Sequence, residues 1–192
     1  MLRKLYDRTM ALAASRRAVP ALFGVSFAES SVFPIPPDAL LIPMVLSKRI
    51  RWLWYVFVCT VGSVLGGIAG YAIGYFLFQE VAEPILSVYG YADKIEEFSA
   101  TFNAWGASAV FIAGVTPFPY KVITVASGAT GLSLPVFIVA SILARGLRFF
   151  LVAYLLYRFG PPIRAFIERR LALVFTVAVI VGLAGFYVLK VL

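Results

Sequence analysis

Five charged side chains stand inside stretches that are otherwise apolar: Glu29, Asp38, Lys121, Arg145 and Arg148. An ionised group in the hydrocarbon of a membrane costs several kcal/mol, roughly 2.5–3.5 on insertion scales, so it normally faces a protein interior or a water-filled cavity. Their chemistry is limited and specific. The two carboxylates can take up and release protons, and the three cations are natural phosphate binders. Arg145 and Arg148 are three residues apart and share one helix face, so both need partners there. The candidates are the carboxylates Glu29 and Asp38, or a lipid phosphate. The plainer alternative is that one arginine snorkels to the interface, or that it neutralises Glu29 for structural reasons alone.

Other chemistries fall away on composition. The chain has no histidine and a single cysteine, Cys59, in an apolar run. An intrachain disulfide, a Ser-His-Asp or Cys-His arrangement, and most zinc or haem sites are therefore excluded. There is no Walker motif and no Gly-rich dinucleotide fingerprint. Asp38 has no intramembrane aspartate to form a proteolytic pair. The expectation is a protein that is not an enzyme, with no catalytic residue, no cofactor and no metal. The formal net charge of +8 reads as a cytoplasmic membrane face rather than as a nucleic-acid surface.

The elements that must hold these charges follow from hydropathy. Of 192 residues, 62% are hydrophobic, which defines an all-α polytopic membrane protein, one compact domain in size. Residues 1–17, with Arg3, Lys4, Arg8, Arg16 and Arg17, predict a basic amphipathic N-terminal segment on an anionic membrane surface, without a cleaved signal. Residues 18–47 predict a helical hairpin whose tip is Glu29-Ser-Ser-Val-Phe-Pro-Ile-Pro-Pro-Asp38. Pro34, Pro36 and Pro37 break the helix, and the arms on either side are too short to cross a core of roughly 30 Å. Broken backbone at that depth persists only where protein or a wet cavity covers it, so the hairpin is expected to be re-entrant. A single kinked span would leave one of the flanking basic clusters outside.

A transmembrane helix is expected over 52–78, with Trp52 and Trp54 as interface anchors. Gly62, Gly66, Gly70 and Gly74 put small residues on one of its faces, close enough to seat the hairpin arms or another subunit. Residues 79–105, rich in carboxylates, predict an outer amphipathic segment. Residues 106–131 repeat the hairpin device. Pro34-x-Pro36-x-Asp38 matches Pro117-x-Pro119-x-Lys121 at an offset of 83 (117 − 34). A second transmembrane helix follows at 134–158, and residues 171–192 form a C-terminal one. Two hairpin-plus-helix units of opposite orientation are an inverted repeat.

With these residues in hand, the chain resembles the DedA family of bacterial inner-membrane proteins, also called the VTT or SNARE-associated Golgi protein domain, and within it the short YqaA-like branch. The resemblance covers about residues 18–160. It rests on Glu29 upstream of Pro37-Asp38, Gly70-Tyr71 and Gly74-Tyr75, Gly114-x-Thr-Pro-Phe-Pro-Tyr-Lys121, Ala126-Ser127-Gly128 and Arg145-Gly-x-Arg148-Phe149. It implies lipid movement across or between leaflets, of phospholipids or polyprenyl phosphate, with dependence on the proton-motive force. It also implies an acidic pair, Glu29 and Asp38, and a basic pair. Lys121 matches the second basic position. Nothing basic stands near Gly114 for the first, and Arg145 is the candidate substitute from the neighbouring helix.

The expected function is a flippase- or scramblase-like lipid translocator in a bacterial inner membrane, with a cytoplasmic N-terminus. Its partners are lipid headgroups and protons, not nucleic acid; a homo-oligomer is left open. The competing readings are a proton-coupled transporter of a small solute and a membrane scaffold or assembly factor in which the charges form a structural ion pair.

Overall fold

The computed structural model describes residues 17–31, 36–78, 80, 92–116 and 118–160. The segment expected over 1–17 (Arg17 apart), the tip prolines Pro34 and Pro117, most of 79–91, and the span expected over 171–192 lie outside the described residues. Among the described residues all regular structure is helical: α1 (Ala18–Ser31), α2 (Asp38–Ser47), α3 (Trp52–Leu77), α4 (Ala92–Val115), α5 (Tyr120–Ala129) and α6 (Leu134–Gly160). A single 3-10 turn, Arg49–Arg51, joins α2 to α3.

Among the described residues, three helical stretches are long and apolar enough to cross a membrane: Arg49–Leu77, Glu96–Val115 and Leu134–Gly160. The two helices of the first hairpin are not. They have 14 and 10 residues, about 21 and 15 Å at 1.5 Å per residue, against a hydrocarbon core of about 30 Å. Local sequence sets their limits. Pro20 sits in the first turn of α1, where a missing N–H costs no helical bond. Pro37, at φ −64°, precedes α2 directly, and Asp38 occupies its first turn, where the helix dipole favours a carboxylate. Pro43 inside α2 has no N–H to give, so one helical hydrogen bond is missing there.

The polar stretch expected to stand apart as 79–105 does not end at a boundary with the second hairpin. Helix α4 runs from Ala92 to Val115 straight through residues 105 and 106. Asp93, Glu96 and Glu97 lie in its first two turns, where carboxylates favour a helix start. Phe102, Gly106, Val110, Ala113 and Gly114 form the face turned to the bundle, while Phe98 is exposed. At the other end of the hairpin, α5 closes with Gly131 at φ +65°. Gly131 N–H donates to the Gly128 carbonyl and Leu132 N–H to that of Ser127, a Schellman turn that needs a left-handed residue.

Helix α3 is the axis of the bundle. Its glycine face is filled by backbone. A Cβ at Gly62 would lie 2.8 Å from the Phe23 carbonyl oxygen, and one at Gly66 would overlap the Phe27 carbonyl, both on α1. At Gly70 it would meet Thr124 of α5 and, at 3.2 Å, the Ser30 carbonyl of α1; at Gly74 it would overlap the Val125 carbonyl of α5. So α1 covers the first part of the stripe, α5 the second, and both run in the same direction as α3. They meet where Thr124 Oγ1 donates to the Ser30 carbonyl at 3.3 Å.

Two apolar clusters mark the ends. One joins Ala18 and Leu22 of α1, Leu41, Met44 and Val45 of α2, Tyr55 and Cys59 of α3, and Phe149 and Leu156 of α6. The other joins Val110 of α4, Tyr120 of α5, Leu132, and Phe137 and Ala140 of α6. Helix α6 thus runs from the second cluster to the first, opposite to α3. Between the clusters lies the polar centre.

Candidate functional site

The charged centre is assembled at the middle of α6, from helix ends. Glu29 stands near the C-terminus of α1, and Asp38 is the first residue of α2. Gly114, near the end of α4, lies against Ala144. Tyr120, the first residue of α5, lies under the Arg145 guanidinium, 4.8 Å from its carbon to the ring centre. Four helix ends therefore converge on residues 144–148 of one continuous helix.

Arg145 is fully buried, and its Nη2 donates to Glu29 Oε2 at 2.5 Å. Its Nε donates to Ser63 Oγ of α3 at 2.6 Å. Ser63 Oγ and Ser30 Oγ are 2.7 Å apart, and Ser30 Oγ donates to Glu29 Oε2 at 3.1 Å. The directions follow from valence. Ser63 accepts from Arg145, so it keeps its own hydrogen for Ser30, and Ser30 gives its hydrogen to the carboxylate. Arg145, Ser63, Ser30 and Glu29 close a ring. The guanidinium is held from a further side by the Phe149 ring, 4.7 Å away, so Tyr120 and Phe149 both offer it an aromatic face. Tyr120 is fixed in turn by a hydrogen bond from its hydroxyl to Ser141 Oγ of α6.

A second pair lies nearer the surface. Arg148 Nη2 donates to Asp38 Oδ2 at 2.8 Å, with the side chains 20% and 25% exposed, against 15% for Glu29. Two polar atoms at the centre stay unmatched among the described residues: Arg145 Nη1 and Asp38 Oδ1. A buried donor left unmet costs roughly 1–3 kcal/mol, so an unmatched guanidinium nitrogen marks a place where an acceptor fits.

The structure pairs Glu29 with Arg145 and Asp38 with Arg148. Lys121 lies in the first turn of α5, half-buried, its carbonyl accepting from Thr124 Oγ1 at 2.8 Å. Of the tip prolines described, Pro37 is buried beside Asp38, Pro36 is exposed, and Pro119 precedes α5. Gly62, Gly66, Gly70 and Gly74 line the bed of the two short helices rather than the polar centre. The sequence reading missed Ser30, Ser63, Tyr120 and Ser141. The available signal was weak: a serine beside Glu29, and another beside Gly62.

The model of the VTT domain matches residues 33–158. The chain belongs to the VTT-domain, or DedA, family. An uncharacterized protein of Haemophilus influenzae is 37% identical over 186 residues, covering 97% of this chain and 96% of its own. One of Histophilus somni is 34% identical, with 97% of each chain covered. One of the archaeon Methanocaldococcus jannaschii is 26% identical over 130 residues, 66% of this chain and 76% of its own. No solved structure matches. With its long apolar helices, this VTT-domain chain is a membrane protein.

Proposed function

We propose that this VTT-domain protein carries lipid headgroups across the bilayer, phospholipid or polyprenyl phosphate, using protons, and performs no covalent step. One observation carries the reading: two carboxylate–arginine pairs sit where four helix ends converge at the centre of a spanning helix. Such charges in hydrocarbon mark ion or substrate pathways, and helix ends at that depth recur in transporter sites. Helices α1 and α2 as one re-entrant hairpin, α4 and α5 as its inverted counterpart, and α3 and α6 as antiparallel spans account for the contacts. On this reading α4 reaches only the midplane despite its length, because Gly114 abuts Ala144. The amide ends of α2 and α5, with Lys121, Arg145 and Arg148, are the groups that hold a phosphate.

Charge placement supports a bacterial inner-membrane protein with its N-terminus in the cytoplasm. Lys48, Arg49 and Arg51 lie at one end of the bundle, and Arg49 packs against Gly160, two residues from Arg158. The carboxylates of α4 lie at the other end. Basic residues gather on the cytoplasmic side.

The test is headgroup translocation in liposomes, with labelled phosphatidylethanolamine and a polyprenyl phosphate, with and without a pH gradient. Native protein moves headgroups; the double variant Glu29→Gln/Asp38→Asn at equal insertion does not. Glu29→Gln alone loses the gradient dependence. Equal movement by native and double-variant protein would show nonspecific bilayer perturbation. The neutral, closed ring around Arg145 favours one rival, a scaffold with a structural ion pair. In that case exchanging Glu29 and Arg145 preserves activity.

A further inference from the structure

The ring around Arg145 has the geometry of an occupied anion site. Glu29 Oε2 receives hydrogen bonds from Arg145 Nη2 and Ser30 Oγ, and Ser63 feeds Ser30 from behind. Removing the carboxylate would leave these donors together, with Arg145 Nη1 already unmatched among the described residues. A carboxylate uses only part of this set. A tetrahedral phosphate has oxygens enough to satisfy both guanidinium Nη atoms and a hydroxyl, the bidentate geometry that guanidinium favours.

Which partner would leave is also fixed by contacts. Arg145 is fully buried, tied to Ser63 through Nε and faced by the rings of Tyr120 and Phe149. Glu29 lies two residues before the end of α1, is 15% exposed, and is held through its carboxylate, by the Arg145 ion pair and the Ser30 hydroxyl. The carboxylate moves; the guanidinium stays.

Charge then sets the stoichiometry. Glu29 and Asp38 balance Arg145 and Arg148. A phosphate monoanion at Arg145 would displace Glu29 from the cation it is bonded to, and a partly buried carboxylate that loses its partner is costly as an anion. Arg145 of α6 bonds to Glu29 directly, Tyr120 of α5 interacts with it electrostatically, and Ser63 of α3 reaches it through Ser30; Arg148 and Asp38 act in turn on Arg145, and Lys121 follows Tyr120 in α5. The carboxylates of α4 sit at its opposite end. Both described arginines of the centre are then engaged, one by phosphate and one by Asp38.

We propose that Glu29 is a built-in stand-in for a phosphate headgroup. It fills the Arg145 site when the site is unloaded, and each phosphate monoanion that replaces it enters with one proton, which Glu29 takes, so that loading adds no net charge. The inference rests on the translocator reading for its substrate class.

The experiment is isothermal titration of the full-length protein in neutral-lipid nanodiscs, repeated in buffers of different ionisation enthalpy, which counts protons. Two probes separate a lipid headgroup from free phosphate: dihexanoyl-phosphatidylglycerol, and dimethyl phosphate, which has no titrating proton near neutrality. Native protein takes up about one proton per anion, and its affinity falls about tenfold per unit rise in pH while Glu29 is ionised in the unloaded site. Glu29→Gln binds more tightly, takes up no proton and loses the pH dependence. Binding of the lipid alone assigns the site to a headgroup; equal binding of both assigns it to phosphate itself. Binding without proton uptake, the same uptake by Glu29→Gln, or no binding of either probe overturns the proposal. The native proton count needs no variant to fold. One proton per anion without translocation in liposomes would keep this inference and sink the translocator, and translocation with no proton taken up would do the reverse.

Discussion

At the scale of single residues, the centre is governed by burial. Arg145 is fully enclosed, and Glu29 nearly so. Truncating one member strands the other charge away from water, a loss of about 3–5 kcal/mol, whereas removing both costs much less. Arg145→Gln and Glu29→Gln should therefore each be strongly destabilising, and the double variant should recover more than about 1 kcal/mol relative to their sum. A reversible detergent-denaturation titration measures this. Strict additivity would mean that the pair does not interact. Arg148→Gln should cost less, because that pair is more exposed and water screens it. The five charges were readable from the sequence because each contradicts its surroundings. Their pairing was not. The spacing of Arg145 and Arg148 shows a shared face, but which carboxylate meets which arginine depends on how α1 and α2 are seated against α6, and no local pattern encodes that. The serines of the ring were invisible for a different reason: a serine in an apolar helix is also an ordinary small packing residue.

At the scale of elements, α3 decides what can pack. Its glycines leave no room for a methyl group where α1 and α5 cross them. Gly66→Ala places a Cβ on the Phe27 backbone, which has no flexible end to move aside, and should destabilise by about 1–3 kcal/mol. Gly24→Ala, on the exposed side of α1 with nothing within 4 Å, should be neutral or stabilising by up to about 1 kcal/mol through helix propensity. The same denaturation titration ranks the two, and equal behaviour would show that α1 does not rest on the stripe. The sequence shows the stripe plainly, since four glycines at a four-residue spacing have one geometric meaning. It does not show that α4 is continuous. Asp93, Glu96 and Glu97 carry two signals at once, a side of the membrane and a helix start that favours negative charge. No proline interrupts residues 92–115, so the helix simply continues inward.

At the scale of the whole molecule, the arrangement fixes which ends share a side. Lys48 and Ser133 are both exposed and lie at opposite ends of the bundle. In a Cys59→Ala background, Lys48→Cys should react with an impermeant maleimide only from the cytoplasmic side and Ser133→Cys only from the outer side. Labelling of position 48 from outside would make the first hairpin a true span and undo the paired orientation. The glycine stripe has a mechanical consequence as well. The Phe23 carbonyl rests over Gly62 and that of Phe27 over Gly66, a matched step of four residues on both helices. Sliding α1 back along α3 by one such step, about 6 Å at 1.5 Å per residue, would set Phe27 over Gly62 but Phe23 over Val58, where the stripe has ended. A step the other way runs into Thr124 and Val125 of α5, which already fill Gly70 and Gly74. The notches are therefore a stop and not a track: α1 has one seat on α3, and the charge at its end keeps one register.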